Sequence, residues 1–125
     1  MGKRILIVDD DQLLTKLYEF EIELQDHDVE VVTIGDGVAA MESIDKNNPD
    51  LLLLDLRLPK ADGFTILKHL HDRQYSFPVL VVTNYDKESY REMCKEFKSV
   101  HEYLVKNSIE IHQLVEKLEQ YLGRE

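Results

Sequence analysis

The stretch that decides the fold runs from Leu51 to Gly63 and reads Leu-Leu-Leu-Leu-Asp-Leu-Arg-Leu-Pro-Lys-Ala-Asp-Gly. Four consecutive leucines between turn signals predict a short strand that is buried on both faces, as is typical of a parallel sheet covered by helices. Asp55 follows this strand directly, and Asp62 before Gly63 predicts the N-cap of a helix. The segment therefore predicts one strand, one loop and one helix of an α/β fold.

The same alternation continues on both sides of this segment. Short apolar runs predict five strands at Ile5–Val8, Val29–Ile34, Leu51–Leu54, Val79–Val82 and Tyr103–Val105. Apolar spacings of three to four residues predict helices between them, the first from Leu13, Leu14, Leu17, Phe20 and Leu24. The weakest helical pattern is the second, from Val38 to Ile44. Together they predict one doubly wound (βα)5 domain over residues 1–125, with right-handed crossovers.

Polar residues mark the predicted helix starts. Aspartates precede four of the helices and are candidate N-caps: Asp11, Asp36, Asp62 and Asp86. The last helix has two alternatives, because Asn107 has capping-box spacing to Glu110 and Ser108 could cap instead.

Composition excludes several classes of protein. The net charge is 15 − 25 = −10, which argues against a direct nucleic-acid binder because such proteins need a basic surface. No apolar run approaches the ~20 residues of a membrane-spanning helix. Cys94 is the only cysteine, so an intrachain disulfide is impossible. We therefore expect a cytoplasmic protein without a membrane or nucleic-acid partner.

Charged and hydroxyl side chains stand where the predicted strands end. Asp9 and Asp10 follow the first strand, Asp55 the third and Lys106 the fifth, and Thr83 follows the fourth. The carboxyl ends of parallel strands share one edge of a sheet, so we expect these side chains to converge. Converging carboxylates repel one another unless a cation such as Mg²⁺ neutralises them. The pattern indicates phosphoryl transfer to a carboxylate, which requires charge neutralisation and positioning.

Four motifs, in order and over essentially the whole chain, resemble the receiver domains of bacterial two-component response regulators. The motifs are Ile5-Leu-Ile-Val-Asp-Asp10, Asp55-Leu-Arg-Leu-Pro-Lys-Ala-Asp-Gly63, Val81-Val-Thr83 and Tyr103-Leu-Val-Lys106. They are similar to the family's acidic pair, phosphoacceptor segment, switch hydroxyl, and switch aromatic residue with its lysine. The resemblance implies the flavodoxin-like, CheY-like fold, with a five-stranded parallel sheet of order 2-1-3-4-5.

The resemblance also implies a phosphoacceptor and a metal site. Asp55 would accept a phosphoryl group from a sensor histidine kinase or a histidine phosphotransfer protein. The chain would catalyse only its own phosphorylation and dephosphorylation, and would otherwise not be an enzyme. Asp10, Asp55 and the main-chain carbonyl of Arg57 would bind Mg²⁺, with Asp9 acting through water.

The remaining matches imply a switch. Lys106 would pair with Asp55 and then with the phosphoryl group, while Thr83 closes onto a phosphoryl oxygen and Tyr103 swings inward. The signal would leave through the face formed by the fourth helix, fifth strand and fifth helix, toward a downstream protein that the sequence does not name. The protein would be a monomer or a dimer that forms on phosphorylation. The fourth predicted helix also carries basic residues beside glutamates, which form either a solvated ion-paired face or a docking site: Lys87, Arg91, Lys95 and Lys98.

Three positions depart from the family pattern. Asn107 stands where most relatives have a proline that is preceded by a cis peptide bond. A cis bond costs ~2.5–4 kcal/mol before other residues, so we expect a trans bond or a strained exception. Asn84 replaces a small residue, and our hypothesis is that Asn84, Arg57 and Tyr85 shield an acyl phosphate from hydrolysis. Glu102 stands where glycine is common.

Two alternatives stay open at the level of sequence. The first is a pseudo-receiver, an interaction module that keeps the fold without using Asp55. The second is a phosphatase similar to the haloacid dehalogenases, with Asp9 as nucleophile and Asp11 as acid/base. That family needs a further acidic pair after the lysine, and the phosphatase interpretation leaves the segment from Asp55 to Gly63 unexplained.

Overall fold

A computed structural model describes residues 2–26 and 28–123 of the chain. Its strands are β1 (Lys3–Val8), β2 (Val29–Ile34), β3 (Leu51–Leu54), β4 (Val79–Thr83) and β5 (Val100–Val105). They form one parallel sheet in the order β2-β1-β3-β4-β5, which confirms the predicted topology. The main difference in bounds is that β5 begins at Val100 rather than at Tyr103. His101 and Glu102 interrupt the apolar run there, because β5 lies at the edge of the sheet and is only partly buried.

The helices alternate with the strands as predicted. They are α1 (Gln12–Gln25), α2 (Gly37–Lys46), α3 (Gly63–Asp72), α4 (Glu88–Lys95) and α5 (Ile111–Tyr121), with a short 3-10 turn at Lys106–Ser108 before α5. Among the described residues, none of the helices has both the length and the apolar character needed to cross a bilayer. None of the described peptide bonds is cis, so the bond between Lys106 and Asn107 is trans.

The sheet has a hydrophobic core on each face, and its central strand β3 is apolar at every position. Alternate residues of β3 point to opposite sides, so Leu51 and Leu53 pack on one side and Leu52 and Leu54 on the other. The first side is covered by α1 and α5, and the second by α2, α3 and α4. Cys94 lies buried in the second core, as expected for a structural thiol.

Helix α1 turns an unexpected side to the core. The residues that it buries are Thr15, Tyr18 and Ile22. The apolar repeat that predicts this helix lies largely outside the core, since only Leu14 packs against it. The other four members are exposed to solvent and form what we call the α1 stripe: Leu13, Leu17, Phe20 and Leu24. An apolar spacing therefore predicts the helix correctly without indicating which side is buried.

Three of the predicted aspartate N-caps are confirmed. The Asp36 carboxylate accepts a hydrogen bond from the Ala39 N–H at 2.7 Å, and the Asp62 carboxylate accepts one from the Thr65 N–H at 2.9 Å. Asp11 caps α1 in the same way. Each cap satisfies a backbone donor that the first helical turn leaves without a partner.

Two cap predictions are wrong. Helix α4 begins at Glu88 with Lys87 as N-cap, and Asp86 instead accepts hydrogen bonds from the Arg91 guanidinium. Helix α5 begins after the 3-10 turn, which takes up Asn107 and Ser108. Its capping box is formed by Glu110 and Gln113, because the extra turn moves the helix start further along the chain.

The loop that follows Asp55 packs tightly against α2. A Cβ atom on Gly37 would lie 1.9 Å from the Ala61 carbonyl oxygen, and the Gly37 N–H donates to the Pro59 carbonyl at 3.2 Å. Gly35, two residues earlier, can accept a Cβ at ordinary van der Waals distance, since the nearest atom, the Asp10 Cα, would be 3.8 Å away. The close approach of the Ala61 loop therefore requires glycine at position 37 but not at position 35.

We expect Gly37→Ala to lower the free energy of unfolding by about 1–3 kcal/mol, because the added methyl group must push the Ala61 loop away. Gly35→Ala is the matched control and should change it by less than about 0.5 kcal/mol. Urea denaturation followed by circular dichroism measures both. Equal stabilities of the two variants would contradict the close packing of α2 on this loop.

Candidate functional site

Three carboxylates meet at the carboxyl edge of the sheet. Val8 and Leu54 are partners in the pairing of β1 with β3, so the residues that follow them, Asp9 and Asp55, lie side by side. Both aspartates are buried, whereas Asp10 is exposed. One carboxylate oxygen of each of the three lies within 4.8 Å of the others. The strand ends thus bring these acidic residues together, as their positions in the sequence predict.

Lys106 reaches this acidic group from the end of β5, the edge strand that β4 separates from β3. It follows β5, and its side chain is only 10% exposed. Its Nζ lies 2.8 Å from Asp9 Oδ2 and 3.0 Å from Asp55 Oδ2, so a single ammonium bridges both buried carboxylates. Our sequence analysis expected the contact with Asp55 but missed the equally short contact with Asp9.

Burial and charge oppose each other in this cluster. Burial raises the pKa of Asp9 above its ordinary value of 3.8, although the hydrogen bonds from Lys106 and from the Asp11 N–H work in the opposite direction. Burial also disfavours the Lys106 ammonium, but the hydrogen bonds and charges of Asp9 and Asp55 outweigh it and raise the pKa of the lysine. Lys106 therefore stays charged, and its charge offsets part of the repulsion between its two partners.

Backbone N–H groups hold the two buried carboxylates in place. The Asp11 N–H donates to Asp9 Oδ1 at 2.9 Å, and the Arg57 N–H donates to Asp55 Oδ1 at 3.3 Å. On each aspartate, the other oxygen contacts Lys106. Asp55 opens into a cavity of about 410 Å³, which is lined by Asp10, Asp11, Asp55, Arg57, Leu58, Pro59, Asn84, Tyr85 and Lys106.

The loop after β4 forms one wall of this cavity. The Arg57 guanidinium lies 4.6 Å from the centre of the Tyr85 ring, a distance typical of a cation–π contact. Asn84 stands beside Tyr85 on the same wall and is exposed. The three residues that we expected to shield the site thus border the cavity that contains Asp55.

Thr83 and Tyr103 contact this loop rather than the cavity. Thr83 is fully buried, and its hydroxyl oxygen accepts a hydrogen bond from the Tyr85 N–H at 3.4 Å. The Tyr103 hydroxyl donates to the Tyr85 carbonyl, and burial raises its pKa to about 12. The Arg91 guanidinium lies over the ring of Tyr103, 4.7 Å from its centre. Tyr85 is therefore held by both residues for which the resemblance implies a switch role.

Tyr18 of α1 also belongs to the surroundings of the site, and our sequence analysis did not identify it. It borders a small space together with Asp9 and Asp55, and burial raises its pKa to about 12. It lies four residues from both Leu14 and Ile22, a spacing that any core residue of a helix could have. No sequence signal distinguishes it from an ordinary core tyrosine.

Of the four basic residues that the sequence places on the fourth helix, only Arg91 and Lys95 lie within α4, and both are paired within the chain; Lys87 is the N-cap and Lys98 follows the helix. Arg91 contacts Asp86 at 2.9 Å, and Lys95 contacts Glu92 at 3.1 Å. These pairs favour the interpretation of this side of α4 as a solvated ion-paired face over that of a basic docking site.

The acidic cluster has the donor set that a hard divalent cation requires. Asp9, Asp10 and Asp55 supply oxygen ligands alone, and the open cavity beside them leaves room for water and for a phosphoryl oxygen. The residues present therefore fit Mg²⁺.

Comparisons with known proteins agree with this geometry. Residues 5–119 match the family model for the response regulator receiver domain. The chain is 38% identical over 88 residues to the alkaline phosphatase synthesis transcriptional regulatory protein PhoP of Bacillus subtilis (strain 168). That alignment covers 70% of this chain but 36% of the relative, so the chain spans only part of the length of this curated relative.

Solved structures give the same result. The phosphorylated cyanobacterial phytochrome response regulator RcpA is 27% identical, with a TM-score of 0.86 over 97% of this chain and 94% of that one. The Mn²⁺-bound response regulator Rcp1 is 28% identical, with the same TM-score over 97% of this chain and 94% of that one. With its fold, its strand-end acidic cluster and its family match in agreement, the chain belongs to the response regulator receiver domains of two-component systems.

Proposed function

We propose that the chain is a phosphorylation-dependent signalling switch whose phosphoacceptor is Asp55. The observation that carries this proposal is the setting of Asp55, a buried carboxylate that opens into a cavity and has the Lys106 ammonium 3.0 Å away. The donor would be a phosphohistidine on a sensor histidine kinase or a histidine phosphotransfer protein. A phosphorylated relative of the same fold, RcpA, supports the assignment.

The transfer moves one phosphoryl group between two side chains. An Asp55 carboxylate oxygen attacks the phosphorus, the P–N bond to the donor histidine breaks, and the bonding electron pair stays with the imidazole. Negative charge accumulates on the phosphoryl oxygens during this step, and the Lys106 ammonium is close enough to bind them. The same site would hydrolyse its acyl phosphate slowly, which is the only turnover we assign to the chain.

Asp10 and Asp55 would hold Mg²⁺ directly, together with the main-chain carbonyl of Arg57 that the resemblance implies. The bound ion would neutralise charge on the phosphoryl oxygens and on the acidic cluster. The Mn²⁺-bound relative Rcp1 supports a divalent cation in this family. Asp9, which already contacts Lys106, would act on the ion through water.

The signal would pass through the Tyr85 loop. We assign Thr83 to bind a phosphoryl oxygen, for which its side chain would turn away from the Tyr85 N–H and toward the cavity. Tyr103 would then change its contact with the Tyr85 carbonyl and alter the face formed by α4, β5 and α5. This face has a groove of about 580 Å³, bordered by Arg91 and Tyr103, in which a downstream protein could bind.

Labelling by a small acyl phosphate tests the function. Incubation of the full chain with the acyl phosphate and Mg²⁺ should add one phosphoryl group, detected by intact-mass spectrometry. Asp55→Asn removes the nucleophile and should abolish the adduct, and chelation of Mg²⁺ should greatly reduce it. Asp50→Asn is a matched control, an exposed aspartate at the other end of the same strand, and should be labelled normally.

The same experiment decides between the alternatives. No adduct, even from a histidine-kinase donor, would contradict the proposal and favour a pseudo-receiver. Release of inorganic phosphate from phosphate esters, lost in Asp9→Asn but retained in Asp55→Asn, would favour the phosphatase.

The wall of the cavity should control the lifetime of the phosphorylated form. Asn84→Ala removes a side chain beside Asp55, so water should reach the acyl phosphate more easily. We expect decay about three- to tenfold faster, which corresponds to roughly 0.7–1.4 kcal/mol of activation free energy. Loss of the adduct is followed by mass spectrometry after the donor is removed. An unchanged decay rate would refute the shielding role. Asn48→Ala provides the control, because Asn48 is exposed and precedes β3, at the opposite end of that strand from Asp55.

Lys106 should also stabilise the fold in metal-free buffer. Lys106→Met leaves Asp9 and Asp55 without their bridging cation, and we expect a loss of about 1–3 kcal/mol in the free energy of unfolding. Lys98→Met replaces an exposed lysine and should have little effect. Urea denaturation in the presence of a chelator measures the difference. Equal stability of the two variants would contradict a stabilising role for the bridge.

A further inference from the structure

Helix α1 has two apolar sides, only one of which is covered by the chain itself. Tyr18 and Ile22 are buried, whereas the four residues of the α1 stripe are exposed by 73% (Leu13), 45% (Leu17), 62% (Phe20) and 58% (Leu24). The spacings along the stripe are four, three and four residues. This is the heptad spacing of a seam that packs against a second helix in a coiled coil.

Charges of opposite sign border one edge of the stripe. Lys16 and Glu23 are seven residues apart and therefore lie on the same edge, two turns from each other. Within the described part of the chain, neither has an ion-pair partner. The opposite edge carries Leu14 and Glu21, and the Glu21 carboxylate accepts a hydrogen bond from Gln25. One edge of the stripe thus offers a positive and a negative group, each free to pair with another molecule.

We propose that the α1 stripe is the contact surface of a homodimer in which two α1 helices pack antiparallel about a two-fold axis. In this arrangement Leu13 faces Leu24 of the second copy, and Leu17 faces Phe20. The two-fold axis also brings Lys16 of each copy next to Glu23 of the other. Apolar contacts and charge pairs are therefore satisfied together by the same surface on both copies, which is the condition for an isologous interface.

The dimer is weak and does not need phosphorylation. The contact is one helix pair three turns long, which is small compared with stable interfaces, so dissociation constants of about 10–500 μM are expected. Each copy carries a net charge of −10, and the resulting repulsion is screened by salt. Dimerisation should therefore strengthen as the ionic strength rises. This surface is separate from the face of α4, β5 and α5 that we assign to output.

Dimerisation would also limit access to Asp55. Leu13 lies two residues after Asp11, which borders the cavity, so a second copy on the stripe occupies the approach to the site from that side. A phosphohistidine donor and a second copy would then compete for the same space. This consequence rests on the proposed function, whereas the dimer itself does not.

Sedimentation velocity of the full, unphosphorylated chain in a chelator tests the proposal, over about 1 μM to 1 mM. We expect a concentration-dependent dimer that Leu17→Glu converts to monomer. Met93→Glu is the matched control, because Met93 is also 45% exposed but lies on α4, and it should leave the dimer unchanged. Both substitutions are on the surface, and circular dichroism verifies that the variants fold.

Charge exchange tests the antiparallel arrangement. Lys16→Glu places like charges opposite each other at both equivalent pairs and should weaken the dimer. Addition of Glu23→Lys reverses both members of each pair and should restore it. A parallel pair would instead bring Lys16 near Glu21 of the second copy, so failure of the double variant to recover would overturn the proposed arrangement.

Two further outcomes would overturn the proposal. The first is a chain that stays monomeric over the whole concentration range while Leu17→Glu loses phosphoryl transfer from a histidine kinase and keeps labelling by acyl phosphate. That result would assign the α1 stripe to the phosphodonor. The second is a dimer disrupted by Met93→Glu rather than by Leu17→Glu. The sedimentation measurements do not depend on whether Asp55 is phosphorylated, so failure of the dimer and failure of the proposed function are distinguishable.

Discussion

The rest of the site depends on the contact of the Lys106 ammonium with Asp9 and Asp55. Two buried carboxylates on adjacent strands would repel each other strongly, and one cation at 2.8 and 3.0 Å offsets that repulsion. The arrangement requires all of the sheet from β1 to β5, because β4 separates Lys106 from the strand that precedes Asp55. The fold therefore places the Lys106 ammonium, and this positive charge offsets the repulsion that arises when Asp55 is buried beside Asp9.

The segment that decides the fold also fixes the site. A Cβ on Gly63 would lie 2.7 Å from the Leu56 Cα and 2.8 Å from the Asp55 carbonyl oxygen, so α3 begins in direct contact with the backbone of Asp55 and Leu56. The Gly63 N–H also donates to the Leu56 carbonyl at 2.9 Å. This close approach gives a physical reason for the Asp62-Gly63 pair: the first residue caps the helix, and the second lets it reach the strand end.

Sequence reasoning succeeded where one local property determines the structure. A run such as Leu51–Leu54 has no polar side to expose, so it predicts a central strand, and parallel strands then predict that Asp9 and Asp55 meet. Prediction from the sequence failed where the structure depends on residues that are distant in the chain. Helix α1 has two apolar sides, and the side with Tyr18 is buried because it packs against α5. The spacing of apolar residues along α1 does not distinguish the two sides. The contact of Lys106 with Asp9 likewise depends on how far the lysine extends past Asp55.

One residue, Tyr85, contacts both Thr83 beside the site and Tyr103 on β5. Thr83 accepts from the N–H of Tyr85, and Tyr103 donates to the carbonyl of the same residue. In the switch that we propose, the Thr83 side chain would turn toward a phosphoryl oxygen and release that N–H, which would leave the peptide groups on either side of Tyr85 free to rotate. Arg57 holds the ring of Tyr85 and Arg91 holds the ring of Tyr103, so both tyrosines start from defined positions. The proposed switch would thus exchange one set of hydrogen bonds at this loop for another, and no long chain of intermediates is needed to connect Asp55 with α4.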